Sequence, residues 1–194
     1  MIIKPRFMDR GACFSCMPPC LFILCFLFFL NACASPPLMT ESGRNHIIPG
    51  VPFYAQETNQ CGPASLAGVM NFWAIPVSPS DIAGEIYSKS ARGTLNMDMV
   101  FYAQRKGLAA EQYSGGMDDL RRKIDAGFPL IVLVDKGFSM LEVAHFMVII
   151  GYGEGGVIAN SGREKGEVIA ESDFIRVWGR TNYWTLLIRP REGE

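Results

Sequence analysis

The chain has 194 residues, a formal net charge of −1 and 49% hydrophobic residues, with two histidines and six cysteines. That is one domain's worth of chain. Its balanced charge lacks the basic excess of a nucleic-acid-binding surface, and two histidines with Cys61, the one cysteine downstream of residue 33, are too few for a four-ligand zinc site built without carboxylates. No cofactor, metal or nucleic acid is therefore expected.

Residues 1–32 begin with Lys4, Arg6 and Arg10 and continue into the apolar run Leu21 to Leu30. A positive start, a short apolar core and small residues beyond are the plan of a secretory signal. The run is too short to cross a bilayer, which takes about 20 apolar residues. The stretch "LNAC", Leu30 to Cys33, resembles the lipobox of bacterial lipoproteins, although Asn31 departs from the usual occupant. The resemblance implies lipid attachment at Cys33, with cleavage just before it. The expectation is a lipid-anchored protein of the bacterial cell envelope, facing the periplasm and tied to the membrane through that lipid. Ala34, where many such lipoproteins carry an acidic retention signal, leans the expectation toward the outer membrane. Loss of residues 1–32 removes three basic groups and Asp9 and moves the net charge from −1 to −3. Cys61 is then the only free thiol, and no disulfide is possible within one chain. Residues 33–50 read as a tether, rich in Pro, Ser, Thr, Asn and Gly without a period. His46 within it reads as solvated.

The folded domain is expected over 51–194. Leu66, Val69, Met70 and Trp73 repeat at i, i+3, i+4, i+7, with Pro63 in the first turn, and predict a helix that starts at Cys61. "SPSDIAGEIY" carries a capping box from Ser78 to Asp81 and predicts a second helix. "TLNMDMVFYAQRKG" predicts a third, stopped by Gly107. "MDDLRRKIDAG" predicts a fourth, with acids in its first turn and a solvated basic face. The pattern then changes to short β-branched runs: "PLIVLVD", "HFMVIIGY", "GVIAN", "EVIAE" and "YWTLLIR" predict strands, with "SDFIRVWG" as a helical turn or two. Helices first and a largely antiparallel sheet afterwards make an α+β fold. Met97, Met99, Phe101 and Tyr102 sit at helical spacing and read as core before they read as a subsite.

Cys61 at a helix N-terminus has a local reason to ionise, because unpaired N–H groups and the helix dipole favour the thiolate. An imidazole partner adds to this, and His145, at the start of a predicted strand, is the only histidine inside the domain. The ring nitrogen turned away from sulfur needs an orienting group. Asn160, near the end of the next strand, would present an amide oxygen; Ser161 is the substitute if the register differs by one. Acyl transfer also needs a donor for the oxyanion, and Gln56 and Gln60 both lie just upstream of Cys61.

Taken together, "VPFYAQETNQCGPASL", "AHFMVIIGY" and "GVIAN" resemble the papain-like peptidases typified by the bacteriocin-processing, double-glycine peptidase domains, and especially their stand-alone bacterial lipoprotein relatives. The resemblance covers about Val51 to Trp184. It implies a papain-like fold with Cys61 as nucleophile, His145 as general base, Gln56 as oxyanion donor and Asn160 in the Asp/Asn position. Two departures bear on specificity. Gln60 stands where exporter-linked members have Asp, and "NSGREKG" lacks their Asp-Pro. Both weaken the carry-over of double-glycine leader recognition. The expected function is a lipid-anchored cysteine peptidase that acts on a peptide or protein through a Cys-His-Asn mechanism and a thioester. The alternatives are an inactive binding module of the same fold and an acyl or peptidyl transferase. An amidase with a Cys–His–His site would need a second domain histidine.

Overall fold

The computed structural model describes residues 45–56, 59–138 and 141–191. The signal segment, Cys33 and the first part of the tether lie outside the described residues. Along the chain come β1 (His46–Ile47), α1 (Cys61–Phe72), α2 (Pro79–Ile86), the small hairpin β2 (Tyr87–Ser88) and β3 (Gly93–Thr94), and α3 (Asn96–Arg105). After them follow β4 (Ala109–Ser114), α4 (Met117–Asp125), β5 (Leu130–Asp135), β6 (Ala144–Gly153), β7 (Gly156–Ser161), β8 (Glu164–Ile169), α5 (Glu171–Gly179) and β9 (Trp184–Arg189). Apart from the β2–β3 hairpin, the strands make one sheet in the order β4-β9-β5-β6-β7-β8, with β1 continuing the pairing of β6 beyond β5. Every pairing is antiparallel. The architecture is α+β, as the pattern of runs requires.

Each predicted helix is present for the reason its sequence supplies. The predicted core positions Leu66, Val69 and Met70 of α1 are fully buried. Ser78 caps α2 by accepting from the Asp81 N–H while the Asp81 carboxylate answers the Ser78 N–H, so two otherwise unpaired donors are satisfied reciprocally. Gly107 and Gly127, just past α3 and α4, have φ of 88° and 81°, where a Cβ would be strained. The helical turn expected at "SDFIRVWG" is the full nine-residue α5, which buries Phe174 and Trp178.

Two elements differ from the sequence reading. β4 lies among the helices, so the order is not helices first and sheet afterwards; "AAEQYS" is a half-exposed edge strand and shows little apolar alternation. β1 lies inside the stretch read as a tether. His46 and Ile47 pair with Tyr152 and Gly151, the Ile48 N–H bonds the Ile150 carbonyl at 2.8 Å, and Ile48 and Val51 are buried. His46 itself stacks on Tyr152 at 4.9 Å with its Nδ1 3.1 Å from an Asp125 oxygen.

α1 packs along β6 and owes its closeness to Gly68. A Cβ there would stand 2.9 Å from the Pro52 carbonyl and 4.0 Å from Val148 Cγ2. The chain ahead of α1 thus doubles back over the helix it leads into. At the far end of α1 the Trp73 indole N–H donates to the Ile188 carbonyl at 2.8 Å and fastens the helix to β9. α5 packs on β5 and β7.

Candidate active site

Cys61 is the first residue of α1, half-buried, with its thiol free. Gln60 holds the N-cap position without a side-chain cap, and its carbonyl accepts from Ala64. No acidic side chain occupies the first turn, so the N–H groups beside the sulfur meet no competing anion. Thr94 lies over the same turn; a Cβ on Gly62 would come within 2.8 Å of the Thr94 Cβ.

His145 is the second residue of β6 and is partly buried. Its Nε2 lies 3.2 Å from Ser161 Oγ, and Lys136 Nζ donates to the same oxygen at 3.1 Å. Burial, and then the charge of Lys136, push the imidazole pKa from 6.5 to about 4, so the ring is neutral near pH 7. No hydrogen bond joins Cys61 to His145 among the described residues, and Nδ1 is the ring nitrogen left without a partner.

The third position is settled by register. β6 and β7 pair Val148 with Asn160, and side chains alternate along each strand. Asn160 therefore shares the face of Val148, and Ser161 shares the face of His145. The Asn160 amide oxygen accepts from the Gly166 N–H at 3.0 Å, across the β7–β8 turn, and its Nδ2 has no partner. The residue beside the imidazole is the substitute, Ser161, and not Asn160. A β-bulge in β6 between Ile149 and Gly151 makes simple counting across the hairpin unreliable.

Gln56 reaches this end of the sheet through its backbone. Its N–H donates to the Gly162 carbonyl at 2.9 Å, next to Ser161. Gln56 also lines a small cavity together with Ala64 and Ser65 of α1, Val148 and Asn160. Gly162, Ser161 and His145 are thus linked in turn to the segment that leads into Cys61. Gln60 has no comparable tie.

A groove of about 580 Å³ runs past this corner. Its lining includes Asn96, two residues from the Thr94 that lies against Gly62, and Ala144, the residue before His145. Trp184, Tyr113, Asp135 and Arg180 line the rest. Among the described residues no group of three or more His, Cys, Asp or Glu side chains is placed to hold a metal ion.

The family model described as the Peptidase_C39 like family matches residues 48–185. The chain belongs to this Peptidase_C39-like family. Its fold is that of the papain-like peptidases in it. A Bacillus anthracis chain described as C39-like superposes with a TM-score of 0.64 at 18% identity, over 77% of this chain and all of that one. The peptidase domain of Streptococcus ComA, a bi-functional transporter involved in quorum sensing, gives 0.62 at 23% identity, over 73% and 100%. A double glycine motif protease from an AMS/PCAT transporter, solved with its leader peptide, gives 0.60 at 22%, over 73% and 93%. No curated protein matches the chain. Within the Peptidase_C39-like frame, Lys136 is the residue that sequence reasoning missed. The available signal was its place directly after "LIVLVD": β5 sets Val134 opposite His145, so Lys136, two residues on, stands on the same face one diagonal step away.

Proposed function

We propose that this chain is an extracytoplasmic, lipid-anchored cysteine peptidase in which Cys61 is the nucleophile and His145 the general base. The observation that carries the reading is the chain of contacts from Gln56 through Gly162 and Ser161 to His145, at the end of the sheet where α1 begins with a free thiol. Because α1 packs on the Val148 face while His145 shares the face of Ser161, this reading requires thiol and imidazole to approach each other around the open end of the strands.

In this reading a peptide lies in the groove between Asn96 and Ala144. His145 takes the proton from Cys61, and the sulfur attacks the scissile carbonyl. The oxyanion that forms is held by the Gln56 side-chain amide and the Cys61 N–H at the start of α1. His145 then gives its proton to the leaving amine, and water hydrolyses the thioester. The lipid on Cys33, the periplasm-facing location and the lean toward the outer membrane rest on the N-terminal sequence alone.

The test is turnover of a fluorogenic peptide library by the full chain in detergent. Cys61→Ala and His145→Ala should reduce turnover to background. Gln56→Ala should lower kcat about 10² to 10³-fold and leave the alkylation rate of Cys61 intact. Turnover that survives Cys61→Ala ends the proposal. A second reading, a peptidase fold retained for binding, is favoured by one feature: two donors, Lys136 and the Ser161 hydroxyl, occupy the neighbourhood where a carboxylate or amide oxygen would orient the base.

A further inference from the structure

Ser161 is buried, with 2% of its surface exposed, and two groups reach its hydroxyl oxygen: the Lys136 ammonium at 3.1 Å and His145 Nε2 at 3.2 Å. An ammonium only donates. The Ser161 hydroxyl proton has no acceptor other than Nε2 among the described residues. If Nε2 carried a proton, the two lone pairs of Oγ could accept from both nitrogens, but the buried hydroxyl proton would be left without an acceptor, at a desolvation cost. The arrangement that satisfies all three groups runs from Nζ–H to Oγ and from Oγ–H to the Nε2 lone pair. The ring proton then sits on Nδ1.

We propose that the Ser161 hydroxyl, held by Lys136, reverses the usual polarity and fixes His145 as the neutral ring with its proton on Nδ1, so that Ser161 is a positioning residue for the base. The inference deepens the peptidase reading and rests on it for its functional meaning. An orienting carboxylate or amide oxygen would draw the ring proton to Nε2 and leave the Nδ1 lone pair for the thiol. Here the polarity is opposite, and the nitrogen left for the thiol is a donor. Another acceptor for the Ser161 proton, such as a carbonyl of the bound peptide, frees the hydroxyl oxygen to accept from the ring. One proton leaves Nδ1 for water, one arrives at Nε2 from water, and the vacated Nδ1 lone pair becomes the base. The resting site is then a thiol beside a neutral imidazole, not a thiolate–imidazolium pair.

The charged groups around the ring agree with this. α1 contributes no titratable side chain besides Cys61, and Ser161 is what β7 presents. At the β5 end, Asp135 is turned to the Gly137 and Val143 N–H groups, with Arg180 3.9 Å away. Asp125 of α4 faces His46 and Tyr152 near the opposite end of β6. Lys136 is the one charge that acts on the ring, and burial and Lys136 together keep the imidazole uncharged.

The experiment is ¹⁵N NMR of the ring nitrogens in the full chain in detergent micelles. The chain has two histidines, and a His46→Gln sample assigns the signals. Wild type should show His145 as the Nδ1–H form at pH 7, with a titration midpoint near 4. Lys136→Met should keep the proton on Nδ1, because the Ser161 hydroxyl still has no other acceptor, and should raise the midpoint by about 1 to 3 pH units through loss of the charge; Ser161→Ala should release the ring from the Nδ1–H form. Ser161→Asp should give the Nε2–H form and the highest midpoint. A wild-type spectrum of the Nε2–H form, which needs no variant, overturns the proposal, as does a Ser161→Ala spectrum with the wild-type tautomer. Peptide turnover by the same samples separates the two readings. The expected tautomer without Cys61-dependent turnover removes the peptidase and keeps the role of Ser161, whereas Cys61-dependent turnover with the opposite tautomer does the reverse.

Discussion

At the residue scale, Asn160 and Ser161 exchange the roles that sequence spacing suggests. Asn160 looks like an orienting amide because it closes the apolar run after His145, but its oxygen is spent on the Gly166 N–H, and Gly166 has a φ of 69°. That bond satisfies a donor near the start of β8, where the register with β7 shifts. Asn160→Ala should therefore cost about 1 to 3 kcal/mol of stability, the range for stranding a buried partner, read by urea denaturation, while the tautomer of His145 stays unchanged. A shifted tautomer without loss of stability would return Asn160 to the site. The positions of Cys61, His145 and Gln56 were legible because each sits at a sequence-visible boundary: a helix start, a strand start, the approach to a helix. The third position was not, because a β-bulge and a one-residue alternation decide which neighbour faces the ring, and neither leaves a mark in composition.

At the element scale, two glycines in consecutive helices should answer substitution in opposite directions. Gly68 in α1 lies under the Pro52 carbonyl at 2.9 Å, so a methyl there collides with backbone that cannot swing aside. Gly84 in α2 is exposed, with nothing within 4 Å of an added Cβ. Gly84→Ala should stabilise by up to about 1 kcal/mol through helix propensity, whereas Gly68→Ala should lower the thermal midpoint and disturb Gln56 through the displaced 52–56 segment. Equal effects would show that α1 and that segment are not in contact. The loop from β5 to β6 gives a pH prediction. The Asp135 carboxylate accepts from the Val143 and Gly137 N–H groups, both at 2.8 Å, and these bonds hold its pKa below the ordinary 3.8. A folded pKa below the unfolded one means that the contribution is complete above about pH 4 and disappears as pH falls through the depressed value. Hydrogen exchange at Gly137 and Val143, corrected for the intrinsic rate, should accelerate in acid below that point. In Asp135→Asn it should already be fast at pH 6.

At the scale of the whole molecule, the helices and the central strands could be read from periodicity because each buries a full face. β1 and β4 could not: one has two residues, the other is an exposed edge, and neither carries enough apolar alternation to stand out from a loop. The cost of missing β1 is measurable. A soluble chain started at Val51 lacks the pairing of His46 and Ile47 with β6, the Ile48 to Ile150 hydrogen bond and the buried Ile48 side chain; one started at residue 45 keeps them all. Burying an isoleucine is worth about 1.5 to 3 kcal/mol. For a domain of this size each kcal/mol moves the midpoint by about 2 to 4 °C. The shorter chain should therefore melt at least about 3 °C lower, with the loss reproduced by Ile48→Ala in the longer one. Because β1 extends the pairing of β6 at the end away from His145, the state of the His145 ring at neutral pH should be the same in both chains. A ring that changed with the truncation would mean that the two ends of β6 are coupled through the strand.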